Sequence, residues 1–332
     1  MLAYIIRRIL IMIPVMVAIS VVTFIIIELP PGDFLTTYVA ELHASGESVD
    51  QAELDALTRR FGLDQPLYIR YLMWAWNFLH GDLGYSFEWR KPVSELIGER
   101  LLLTVIISTA TLLFTWVISV PIGIYSAVRQ YSWTDYFLTF IGFIGLATPN
   151  FLFALVLLWA SYAYFGMSVG GLFSPEYVEA PWSLAKFWDL LKHLWIPVVI
   201  VGTAHTAKFI RMIRGNLLDE LRKPYVVTAR AKGLPETQLI LKYPVRVAIN
   251  PLVSTIGWTL PELVSGIAIT AVVLNLPTTG PLLLRALLSQ DMHLAGAFLM
   301  MLAFLTVVGT LVSDILLAWV DPRIRFGARE AV

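Results

Sequence analysis

Glu262 and Asp314 each interrupt a long apolar run. A carboxylate in such surroundings must be matched by a cation, a hydrogen-bond donor or water, because an uncompensated charge in hydrocarbon is costly. Two kinds of chemistry follow: a structural ion pair, or a group that meets a proton or solute crossing the membrane. Pairing takes precedence for both. Glu262 has the stronger claim to a transport path, since Pro261 and Gly266 flank it and can open the helix backbone towards a cavity. Asn150 and Asn275 are the other candidates for lining a path. The histidines are scattered. His43, His80, His193 and His293 fall in polar segments or at their edges, and His205 stands alone in an apolar run, where a packing or hydrogen-bonding role is expected.

Enzymatic signatures are missing from the sequence. It has no G-x-x-x-x-G-K-[ST] loop to cradle nucleotide phosphates, no H-E-x-x-H and no G-x-S-x-G. A non-catalytic chain without a bound metal or nucleotide is therefore expected. The absence of cysteine rules out disulfides and thiolate metal sites. A formal net charge of zero argues against nucleic acid as a partner.

One polar segment stands out between apolar stretches: Asp219-Glu-Leu-Arg-Lys-Pro-Tyr-Val-Val-Thr-Ala-Arg-Ala-Lys-Gly-Leu-Pro235. Pro224 suits a first helical turn, Gly233 can take the left-handed cap, and Pro235 forbids continuation. These signals predict a short helix over 224–232, about 13 Å long at roughly 1.5 Å per residue. It carries Tyr225, Val226, Val227, Thr228, Ala229, Arg230, Ala231 and Lys232, followed by Gly233 and Leu234. Such a knob fits a groove on a partner protein.

The elements that position these groups are membrane helices. Of 332 residues, 58% are apolar and 14% charged, against roughly 45 to 50% and 25% in soluble domains. A span needs about 20 apolar residues, and six runs qualify: 9–27, 101–128, 136–165, 194–213, 251–276 and 294–320. The expectation is an all-α polytopic membrane protein of six transmembrane helices, with a helical extracytoplasmic insertion after the first. With an inside N-terminus, fifteen of the 24 Lys and Arg lie on the cytoplasmic side, as the positive-inside rule requires. Residues 1–29 form a retained signal anchor, 30–100 an extracytoplasmic segment, 101–320 a core with the cytoplasmic loop 214–250, and 321–332 a cytoplasmic tail. Within the outer segment, Asp50 to Phe61 reads as a helix and Tyr68 to Phe78 as an amphipathic helix at the membrane surface. The aromatic stretch from Trp182 to Trp195 is expected to rest on the same interface.

The ordered motifs Arg7-Arg8, Pro31-Gly-Asp33, Gly62-Leu-Asp-Gln-Pro66, Gly81-Asp-Leu-Gly-Tyr-Ser86, Thr228-Ala-Arg-Ala-Lys-Gly-Leu234 and Asp321-Pro-Arg-Ile-Arg325 resemble, end to end, the membrane-spanning subunits of ATP-binding-cassette importers of the oligopeptide, dipeptide and nickel type. The resemblance implies a type I importer transmembrane fold in a bacterial or archaeal plasma membrane, with both termini cytoplasmic. It makes Tyr225 to Leu234 the coupling helix that docks on an ATPase. It further implies a second, related permease, one or two ATPase subunits that bind the ATP and Mg, and an extracytoplasmic solute-binding protein. There are departures: Ala271 stands where relatives carry an acid, and Val227 where they often carry a base. Leu172-Phe-Ser-Pro-Glu176 and Leu276-Pro-Thr-Thr-Gly280 look similar to a subgroup associated with oligosaccharides, the rival cargo. The rival class is an ion-coupled secondary transporter using Glu262 or Asp314. A membrane-embedded enzyme ranks last.

Overall fold

The computed structural model describes residues 2–29, 64–86, 88–166, 170–289 and 291–320; the expected helix at 50–61, the Pro31-Gly-Asp33 motif and the tail 321–332 lie outside them. The chain is helical almost throughout: α1 (Leu2–Glu28), α2 (Leu67–Leu79), α3 (Val93–Val128), α4 (Trp133–Ala147), α5 (Asn150–Phe165), α6 (Leu184–Leu221), α7 (Pro224–Ala231), α8 (Glu236–Lys242), α9 (Pro244–Ala248), α10 (Asn250–Ser254), α11 (Ile256–Gly266), α12 (Ala268–Val273), α13 (Thr279–Leu288) and α14 (Met292–Val320). A two-residue antiparallel pair, β1 (Tyr85–Ser86) with β2 (Lys91–Pro92), precedes α3.

Four described helices are long and apolar enough to cross a membrane: α1, α3, α6 and α14. The expected span at 136–165 is broken into two helices, α4 and α5, bent by 101°. The cause is local. Thr148 precedes Pro149, whose ring disfavours the helical region for the residue before it, and Thr148 is extended at φ −87°, ψ 119°. Counting the bent pair as one span gives five. The expected fifth span at 251–276 is built from three short helices, α10 to α12, joined at Thr255 and Ile267, which both keep right-handed helical dihedrals. Pro261 lies inside α11 and withholds one backbone donor. The aromatic stretch 182–195 is largely helical. From Leu184 it is part of α6, whose 38 residues extend about 57 Å at roughly 1.5 Å each, well beyond a hydrocarbon core of about 30 Å.

The described contacts gather into two compact units. One draws on residues 10–101 and 282–304. There α2 lies on the end of α1: the Phe24 ring meets those of Tyr71 and Trp74 at 5.5 and 5.8 Å, and Arg70 pairs with Glu28 at 2.7 Å. Asp291 caps α14 by accepting the Leu294 N–H and also accepts the Ser86 hydroxyl. The expected amphipathic helix is thus present as α2, with no buried residue.

The other unit draws on residues 1–9, 102–281 and 305–332. Its core packs Leu103 and Ile107 of α3, Ile200 and Val201 of α6, Ile256 of α11 and Ala271 of α12. A file of buried hydroxyls, Thr104, Ser108, Thr111, Thr115 and Ser119, runs down α3 at helical spacing, giving side chains small enough for close helix packing. On the far side, α11 and α14 meet almost backbone to backbone: a Cβ on Gly257 would fall 2.7 Å from Thr310 Cα and 2.9 Å from its nitrogen. Backbone cannot swing aside as a side chain does. Gly257→Ala should therefore cost about 1 to 3 kcal/mol of stability and lower the melting temperature of the detergent-purified chain. Gly98→Ala in α3, where an added Cβ meets nothing within 4 Å, should match or slightly exceed the parent.

Candidate functional site

The polar segment 219–235 folds as a fastened knob. Lys223 is extended before Pro224, which takes the first helical position of α7. The helix stops at Ala231, one residue short of the expected end, and Lys232 caps it by donating its N–H to Thr228 O at 3.1 Å. Gly233 then turns left-handed at φ +79°, the conformation expected of it. Pro235 closes the turn and begins α8.

The knob has an inner face and an outer face. Val226 and Ala229, three residues apart and so neighbours on one side of the helix, pack with Leu217 of α6, Leu239 and Ile240 of α8, and Val245 of α9. Val226 is fully buried, a gain of about 1.5 to 3 kcal/mol for a side chain of this size. Both belong to the segment that the resemblance makes the coupling helix, and they turn inward, where the apolar end of α6 recruits them. Tyr225, Val227, Thr228, Arg230, Ala231, Lys232 and Gly233 are exposed, and Leu234 is half-buried.

Polar contacts fix the outer face in position. Tyr225 donates its hydroxyl to Glu220 at 2.5 Å, and Thr228 donates to Pro224 O at 2.9 Å. Arg230 holds Glu236 with two hydrogen bonds, at 3.1 and 2.5 Å. Those bonds keep the Glu236 carboxyl below its ordinary range. Paired forks of this kind set geometry even where water screens their energy.

A second cluster lies higher on α6. Glu262 of α11 has its carboxylate 3.8 Å from Lys208 Nζ and 3.9 Å from His205 Nε2. These distances exceed hydrogen bonds and make electrostatic neighbours. The Glu262 and Lys208 side chains are 46% and 37% exposed. Half-exposed charges on a membrane helix face water or another protein, since lipid cannot solvate them. Asp314 has a different fate: Arg8 lies 3.1 Å away and the carboxylate is only 14% exposed, the structural pair expected for it. Asn150 opens α5 behind Pro149 and is half-buried. Asn275 sits at the end of α12 at φ +50°, a backbone position that asparagine tolerates better than most residues.

Several buried polar groups escaped the sequence reading. Lys186 is 2% exposed; its ammonium donates to Ala180 O at 2.7 Å and lies over the Phe173 and Trp182 rings. Asp189 accepts both the N–H and hydroxyl of Ser174. Their i, i+3 spacing on one helix next to Trp182 was the available signal. Asp135 binds Arg214 at 3.0 Å, a pair 79 positions apart that no local pattern could reveal.

The fold and these clusters define a class: a multi-pass helical membrane permease with a structured polar loop. Residues 119–326 match the family described as binding-protein-dependent transport system inner membrane component, and residues 1–108 match its N-terminal companion. The chain belongs to this family, whose fold is that of type I ATP-binding-cassette importers. It is 36% identical over 329 residues to the oligopeptide transport system permease protein AppB of Bacillus subtilis, covering 98% of this chain and all of that one. It is 30% identical over 340 residues to the dipeptide transport system permease protein DppB of Alkalihalophilus pseudofirmus (98% and 100% covered). It is 29% identical over 341 residues to DppB of Escherichia coli K12 (98% and 99%).

Two outcomes are expected at α7. Gly233→Val forces a β-branched residue into a left-handed position, at about 1 to 2 kcal/mol; thermal melts should show the loss while membrane insertion stays intact. Arg230→Ala should raise the titration midpoint of Glu236, read by carboxyl NMR. Because that midpoint is lowered in the folded chain, the pair's support is present above the unfolded glutamate range and is lost as pH falls through the lowered value.

Proposed function

We propose that this chain is a permease subunit of an ATP-driven importer of oligopeptides or dipeptides, and that a separate ATPase docks on the outer face of α7. One observation carries the reading: α7 is polar outward and apolar inward, and its inner face is fastened to the end of a continuous helix that runs back past Glu262. A force applied to Tyr225, Val227, Thr228, Arg230 or Lys232 would pass through Val226 into α6. Closure of two ATPase subunits around ATP and Mg would thereby draw α6 with it and switch the bundle between discrete packings, as rigid-body transitions do. In this reading α7 and both termini lie in the cytoplasm. An extracytoplasmic binding protein delivers the cargo, and a second permease completes the path.

The half-exposed charges of Glu262 and Lys208 support placing the path on their face. Asn150 and Asn275 belong to it only if that face extends to them. Ala271 is fully buried within its unit's core, so the acid that relatives carry there has no counterpart in this chain. Val227, 56% exposed, offers the ATPase an apolar contact in place of a charge. Cargo follows the relatives, whose names specify oligopeptides and dipeptides; sugars draw no comparable support.

Purification from the native membrane in mild detergent should recover an ATPase with the chain, and its absence would count against the docking. A deletion strain should lose uptake of labelled dipeptides and keep uptake of oligosaccharides. Transport by proteoliposomes holding this chain alone, without ATP, would favour the ion-coupled rival. Glu262→Gln should reduce peptide uptake several-fold while leaving ATPase recovery unchanged; unchanged uptake would remove Glu262 from the path.

A further inference from the structure

A groove of about 290 Å³ lies between α4 and α6. Its walls are apolar, formed by Leu138, Gly142, Ala207 and Ile210, and its mouth carries Arg211 and Arg214. Glycine and alanine create the space: a Cβ on Gly215, which also lines it, would meet nothing within 4 Å. Arg211 is exposed, and its guanidinium carbon lies 5.5 Å from the Phe143 ring centre, held over the groove by the aromatic face. Arg214 shares its charge with Asp135 at 3.0 Å, so the mouth keeps one positive charge in excess.

The level of the mouth is set independently. Asp135 also accepts the Tyr131 N–H at 3.0 Å. Beside it, Tyr131 and Trp133 are 68% and 91% exposed, aromatic side chains of the kind that settle at membrane headgroups. An apolar cleft with basic side chains and exposed aromatics near one end has the form of a lipid site at headgroup depth.

We propose that this groove seats an anionic phospholipid, its phosphate at Arg211 and Arg214 and an acyl chain along Leu138, Gly142, Ala207 and Ile210. A free phosphate would leave the apolar walls uncovered, and a zwitterionic lipid would leave the surplus charge unmatched. Basic pockets between membrane helices at headgroup depth bind acidic lipids for the same reasons. The site asks only that these helices span a membrane, and holds whichever solute the permease carries.

The test is native mass spectrometry of the full-length chain, and separately of the complex recovered with it, after equilibration with dioleoyl phosphatidylglycerol or dioleoyl phosphatidylcholine. The parent should retain the phosphatidylglycerol about fivefold more strongly, the preference expected of one surplus arginine near a membrane surface. Arg211→Gln should abolish the preference and Arg211→Lys keep most of it. Gly215→Leu should reduce retention of both lipids with the charges intact, and carries the test should Arg211→Gln fail to fold. Equal preference in Arg211→Gln, or displacement of the lipid by excess inorganic phosphate, would overturn the proposal. So would an assembled complex without retained lipid, the result expected if a helix of a second permease fills the groove.

Discussion

The burial of Val226 and Ala229 against the end of α6 is the contact on which the structure of the polar loop, and the coupling proposed for it, depend. A short helix of eight residues has little intrinsic stability in water, since nucleation is unfavourable and few hydrogen bonds follow it. Docking its apolar side onto Leu217, Leu239, Ile240 and Val245 supplies what propensity cannot. The same contact joins the surface helix to a 38-residue rod. Without it, α7 would be a tethered peptide with no packed contact to α6.

Charge placement follows a second constraint, the cost of ions in hydrocarbon. Asp314 meets it with Arg8 and Asp135 with Arg214, both carboxylates being largely withdrawn from solvent. Lys186 meets it with carbonyl oxygen and aromatic faces. Glu262, Lys208 and His205 meet it with one another across 3.8 to 3.9 Å, and the Glu262 and Lys208 side chains stay 46% and 37% exposed.

Much of this was legible in the sequence because it rests on local rules. Pro224 and Gly233 set the ends of α7 through fixed dihedral preferences, and the apolar runs gave α1, α3 and α14 through length alone. The parts that stayed hidden depend on distance along the chain or on backbone detail. Pro149 is visible as a break in its apolar run, but the size of the bend between α4 and α5, set by the extended Thr148 before it, is not. The inward turn of Val226 needed the position of Leu239 and Val245, and the partners of Glu262 lie more than fifty positions away. The true length of α6 was concealed because both of its ends, 184–193 and 214–221, are too polar to register as a span.

The chain contains no cysteine, so a single introduced thiol reports its own surroundings. The most direct measurement compares Val227→Cys on the outer face of α7 with Val226→Cys on its inner face, in intact cells and inverted membrane vesicles. The account predicts that the thiol at 227 reacts with an impermeant reagent only in inverted vesicles and cross-links to the ATPase subunit, while the thiol at 226 does neither. Labelling at 227 from the outside of intact cells, or equal cross-linking from both positions, would contradict it.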